Sequence, residues 1–171
     1  MTGARLFDTG LLRLLPLPLR EPRQLWLSII VGWALSFGGS VLLSAAAQAL
    51  APDLGTPDFP MSGVPALLLL AVFAPVVETL IMALVLSLLT RFLSATASIL
   101  VSALLWGIAH SLQAPVWGLI VWWPFLIFST LFVVWRQLGL WAGIGVAAAT
   151  HALQNLIPAL LVSKLVAVSV A

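Results

Sequence analysis

From residue 24 to residue 162 the chain is a succession of apolar runs, each long enough to cross a bilayer and each closed by a short polar break. A run of about twenty such residues spans the hydrocarbon core as a helix. Charged residues make up 7% of the 171 and hydrophobic residues 63%, whereas soluble domains are about 25% charged. The expected fold is therefore all-α, a polytopic transmembrane bundle of about five spans. The runs fall at residues 24–50, 64–90, 94–112, 116–135 and 138–162, and the whole of 24–171 reads as a single transmembrane domain. Pro75 tends to kink or loosen the second run, because it lacks a backbone donor.

Residues 1–23 differ from the rest. Arg5, Arg13, Arg20 and Arg23 stand against Asp8 and Glu21, leucines recur between them, and Pro16, Pro18 and Pro22 interrupt any long helix. This composition predicts a basic N-terminal segment lying at the cytoplasmic surface. Asp8-Thr9-Gly10 matches the aspartic protease tripeptide but has no second copy, and it carries no catalytic expectation. Ala47-Gln48-Ala49 resembles a signal-peptidase site. The apolar run before it is roughly twice the usual 7 to 15 residues, so an uncleaved span is expected.

Arginines in short loops set the orientation. The N-terminal arginines, Arg91 and Arg136 fall on one side of the five-span count and Asp53 and Asp58 on the other, with Lys164 the one dissenter. The N-terminus is thus expected inside. A net charge of +2 gives no argument for nucleic acid, and the lack of cysteine excludes disulfides and thiolate chemistry. With eight tryptophans and no tyrosine, the interfacial anchors are indole rings. The expected partners are membrane lipids and a membrane-anchored substrate.

Glu78 is the only acidic residue within a predicted span, and His110 and His151 also lie in apolar runs. An ionisable group in the bilayer is costly, so it normally faces a protein interior or a wet cavity, with partners. Counted inward at about 1.5 Å per residue, Glu78 and His151 lie ~18 Å deep, and His110 and Asn155 ~24 Å. Four polar groups on three spans thus share roughly one turn of depth. His151 and Asn155 share a helix face, as do Trp106 and His110. Gln113 and Gln154 read as ordinary polar neighbours, and Arg91, Arg136 and the tryptophans as interface anchors.

A carboxylate can act as general base toward water, a neighbouring histidine can hold that water, and a second histidine with an amide can stabilise an oxyanion. Those parts suffice for peptide hydrolysis without a covalent intermediate. Equally, Glu78, His110 and His151 would make a two-His, one-carboxylate zinc site. Residue types alone do not separate the two. Other designs drop out: there is no His-Glu-x-x-His, no intramembrane aspartate and no Gly-x-Ser-x-Gly elbow.

These residues resemble the CAAX prenyl protease and bacteriocin-processing (CPBP, Abi) family of intramembrane endopeptidases. Ala74-Pro75-Val76-Val77-Glu78 is similar to its first motif, Trp106-Gly107-Ile108-Ala109-His110 to its second with an aromatic exchange, and His151-Ala152-Leu153-Gln154-Asn155 to its third. The resemblance covers about 64–162. It implies that Glu78, His110, His151 and Asn155 activate water and stabilise the oxyanion, with Thr79 and Trp106 behind them. It also implies a multi-pass protein of a bacterial cell membrane. Thr79 and Ala83 stand where the family has a second glutamate and an arginine, and losing both together avoids a charge left unpaired in lipid. Prenylated proteins are the substrates the family name implies, but the residues call for no prenyl pocket beyond general apolarity. Two other readings remain: a catalytically weak or inactive protease-fold partner or immunity-type protein, favoured by Thr79 with Ala83, and a proton- or ion-handling transporter. The absence of an internal repeat counts against the transporter.

Overall fold

The computed structural model describes Phe7 and residues 10–53 and 57–165. Arg5 and the Asp8-Thr9 part of the Asp-Thr-Gly tripeptide lie outside the described residues. Helix is the regular structure throughout: α1 (Leu25–Leu50), α2 (Gly63–Leu89), α3 (Ala95–Ser111), α4 (Pro115–Trp135) and α5 (Leu140–Val162). This is the expected polytopic bundle. Four of the five are long and apolar enough to cross a membrane, and α3 is a shorter apolar helix. Lipid offers the backbone no hydrogen-bond partner, so a chain this apolar must satisfy its amides internally, and helices do that within each segment.

The ends of the helices follow local chemistry. Ser94 caps α3, its hydroxyl accepting the Ala97 N–H at 3.3 Å. Pro115 opens α4, where its missing N–H costs nothing. Gly139 precedes α5 with φ 137°, a backbone region that favours glycine. Pro75 does not break α2. The helix instead widens into a π-helical turn over Leu69–Phe73 and resumes as α from Ala74.

The most buried of the long helices, α4, forms the centre of the bundle. Its C-terminal half is buried from Pro124 to Trp135, and α1, α3 and α5 surround it. Close approach is possible where side chains are absent. At Gly118 an added methyl would overlap Ser111 Oγ and the Gly107 carbonyl, which locks the α3–α4 hairpin. At Gly39 it would overlap the indole of Trp123, whose Nε1 donates to the Leu35 carbonyl at 2.9 Å. α2 leans on α5 along its whole length and meets α3 and α4 chiefly through its Ala74–Leu89 portion. At its N-terminal end the Gly63 N–H donates to the Ser163 carbonyl at 2.8 Å.

The N-terminal segment is more embedded than an interfacial strip would be. Leu11, Leu14 and Leu17 are exposed, but Phe7, Leu12 and Leu19 are buried in the core. The single turn Leu17–Arg20 packs on α1 and α4, and Ser28 Oγ donates to the Pro18 carbonyl at 2.6 Å. Its prolines make this possible, since they stop a long helix and let the leucines fold back over the end of the bundle. The tryptophans also divide. Trp26 and Trp141 are exposed, as anchors should be, whereas Trp135 is buried.

Candidate active site

Glu78, His110, His151 and Asn155 all line one cavity of about 640 Å³ between α1, α2, α4, α5 and the end of α3. The matched depths read from the sequence thus correspond to one place. Glu78 projects from α2 one turn after Pro75, its side chain a quarter exposed to that cavity. Its Oε2 lies 3.6 Å from His151 Nε2. A second cavity of about 420 Å³ reaches Glu78 from the α2 side, between Phe73, Val77 and Gln113. Phe59 and Trp117 border both cavities and meet edge to face at 5.7 Å.

His151 is buried, and three contacts fix its ring. Phe128 stacks on it at 4.5 Å, Phe125 meets its edge at 5.2 Å, and Thr79 Oγ1 lies 3.4 Å from Nδ1. In the tautomer with its proton on Nε2, toward Glu78, the ring leaves Nδ1 to accept from the Thr79 hydroxyl. Thr79 itself is fully buried, as is most of Ala83 one turn later.

His110 is held differently. Its Nδ1 lies 2.9 Å from the Trp106 carbonyl, which can only accept, so Nδ1 carries the proton and Nε2 keeps its lone pair. Trp106 contributes through its backbone and also stacks on Phe125 at 4.3 Å. Phe125 contacts both imidazoles, His110 at 5.7 Å and His151 at 5.2 Å.

Asn155 Nδ2 donates to the Leu70 carbonyl at 3.2 Å. Gln154, read from the sequence as an ordinary neighbour, is a buried tie. Its Oε1 accepts from Ser36 Oγ at 2.8 Å and its Nε2 donates to Ser40 Oγ at 3.3 Å, fastening α5 to α1. The sequence reading also missed Phe125 and Phe128, because aromatic residues inside an apolar run look the same whether they face lipid or an imidazole.

Zinc needs at least three donors closing on one point at about 2.0–2.2 Å each. Among the described residues no three His, Cys, Asp or Glu side chains form such a group. As placed, Glu78, His110 and His151 do not fit the ion, and no step below runs through it.

No curated protein and no solved structure matches the chain. Residues 60–157, which hold Glu78, His110, His151 and Asn155, match the type II CAAX prenyl endopeptidase, Rce1-like, family, and with more than half its length so matched, the chain belongs to that family.

Proposed function

We propose that the protein is an intramembrane endopeptidase that hydrolyses a peptide bond of a membrane-anchored peptide or protein with water activated at Glu78. The observation that carries this reading is the meeting of Glu78, His110, His151 and Asn155, drawn from three helices, in one cavity whose remaining wall is mainly apolar. Membership of a CAAX-type protease family supports the same reaction class.

The Glu78 carboxylate takes a proton from water while His110 Nε2, an acceptor, holds the second proton in line. The water oxygen adds to the substrate carbonyl carbon and the carbonyl electrons move onto oxygen. His151 Nε2–H and the Asn155 amide donate to that oxyanion, and fixed donors in a dry site are the most effective stabilisers of developing charge. Collapse breaks the C–N bond, and the proton held by Glu78 passes to the leaving amine. Atoms and charge balance with one water consumed, and Glu78 returns to its starting state.

The test is cleavage of a membrane-anchored peptide library by purified protein in bilayers, comparing the native chain with Glu78→Gln and His110→Ala. Loss of general-base catalysis lowers the rate about 10²- to 10⁴-fold. Identical product from both variants overturns the site. No product from the native chain favours an inactive, protease-fold partner, which the pairing of Thr79 with Ala83 would then explain. Chelator treatment leaves the rate unchanged on this reading, and a rate that falls with chelator and returns with zinc overturns the metal-free mechanism.

A further inference from the structure

The π-helical turn over Leu69–Phe73 lies immediately before Pro75. In a regular α-helix the proline ring would collide with the carbonyl four residues back, that of Ala71, and a widened turn relieves the collision. The widening changes which carbonyls are served. The Ala74 N–H donates to Leu69, five residues back, rather than to Leu70. The next residue able to reach the Leu70 carbonyl is Pro75, which has no N–H. Leu70 therefore presents a carbonyl without a backbone donor, in a segment where lipid cannot supply one. Asn155 Nδ2, from the facing helix, donates to it at 3.2 Å.

We propose that Pro75 and the π turn before it are positioning elements for Asn155, holding the nitrogen end of its amide on the Leu70 carbonyl and so fixing which end the cavity receives. A side-chain amide can turn over, exchanging its donor for its acceptor at little cost. A carbonyl partner removes that freedom, because it can only accept. One Nδ2 proton is held by Leu70 and the other remains for a ligand in the cavity that Asn155 and Leu70 both line. If the amide turned over, its oxygen would face a developing oxyanion and repel it. Glu78 lies one turn beyond Pro75, in the regular α-helical part of α2, so the π turn acts on the anchor of the oxyanion donor rather than on the base. This inference rests on the reading of Asn155 as that donor.

Asn155 is the only asparagine in the chain, so asparagine-selective ¹⁵N labelling gives one side-chain NH₂ signal and reads the anchor without any substrate. In the native protein one of the two protons exchanges with water at least about tenfold more slowly than the other. In Pro75→Ala, where residue 75 regains an N–H and the helix can serve Leu70 from its own backbone, that protection falls by a similar factor. Equal, fast exchange of both protons in the native chain, or unchanged protection in Pro75→Ala, overturns the proposal. The kinetic arm uses Pro75→Ala, Asn155→Ala and the double variant. Pro75→Ala lowers kcat by about 10- to 100-fold with KM within twofold, and adds nothing in the Asn155→Ala background. Reductions that multiply, or a fall confined to KM, overturn the positioning role. Asn155→Asp keeps the shape and loses the donor, so it matches Asn155→Ala if the donor is what matters and retains activity if shape is enough, which overturns it. A protected proton in a chain that cleaves nothing would leave the anchor in place while refuting the proposed function.

Discussion

Thr79 shows how one substitution can preserve a site while changing its chemistry. The family has a glutamate at this place and an arginine one turn on, where this chain has Thr79 and Ala83, both buried. The hydroxyl still reaches His151 Nδ1, so the ring keeps a polar partner without introducing a charge. Thr79→Val keeps the volume and removes the hydroxyl. Losing a partner that orients a functional histidine costs about 10- to 100-fold in metal sites, and a fall of that order in kcat is expected here, with the folded fraction in detergent unchanged. Thr79→Glu alone buries an unpaired carboxylate, a change of the kind that costs about 3–5 kcal/mol, and Thr79→Glu with Ala83→Arg recovers most of that stability. Thermal unfolding of the two variants side by side is the measurement, and equal stability would show that the positions do not pair. At this scale the sequence was most readable for groups that lipid penalises. Glu78, His110, His151 and Asn155 stood out because each is expensive unless partnered. Phe125, Phe128 and the Leu70 carbonyl did not, since nothing about an apolar residue or a backbone oxygen announces that it faces an imidazole or a side-chain amide.

Helices were legible to within a few residues, because proline, glycine and charged residues punctuate the apolar runs. Which face of each helix turns inward was not. Residues of α4 are apolar nearly all round, so periodicity cannot pick a side. The π turn was hidden for a similar reason: Pro75 signals an irregularity but not whether the chain bends, breaks or widens. Close packing of α3 on α4 offers the sharpest test at this level. Gly118→Ala places a methyl against the Gly107 carbonyl as well as Ser111 Oγ. Overpacking of this kind costs about 1–3 kcal/mol, and because one obstacle is backbone, adding Ser111→Ala recovers only part of it. The midpoint of thermal unfolding in detergent reports both variants. Full recovery in the double variant would mean that the hairpin can spread.

Across the molecule, Arg91 and Arg136 follow the C-terminal ends of α2 and α4. Arg136 Nη1 donates to Thr90 Oγ1 at 3.3 Å, which places the ends of α2 and α4 together, and the Leu17–Arg20 turn packs against α4. Basic residues favour the cytoplasmic side, so that end is expected inside and Asp53 and Asp58 outside. The cysteine-free sequence makes this simple to check. Asp58→Cys in intact cells reacts with an impermeant maleimide, whereas Arg91→Cys reacts only after lysis, and the reverse pattern would invert the topology. The number of long helices followed from composition. The embedding of Phe7, Leu12 and Leu19 did not, because a leucine-rich, proline-broken segment reads the same on a membrane surface as against a protein one.

The Gln154 tie bears on what the smallest working unit can be. Family likeness begins near residue 60, yet the hydroxyls that hold Gln154 come from Ser36 and Ser40, ahead of that boundary. Cut away everything before the matched portion and Gln154 would be stranded in hydrocarbon, immediately beside Asn155, with one side of the chamber gone. Two fragments parted between α1 and α2 and produced together should reassemble around that amide, whereas the later fragment by itself should not hold its shape.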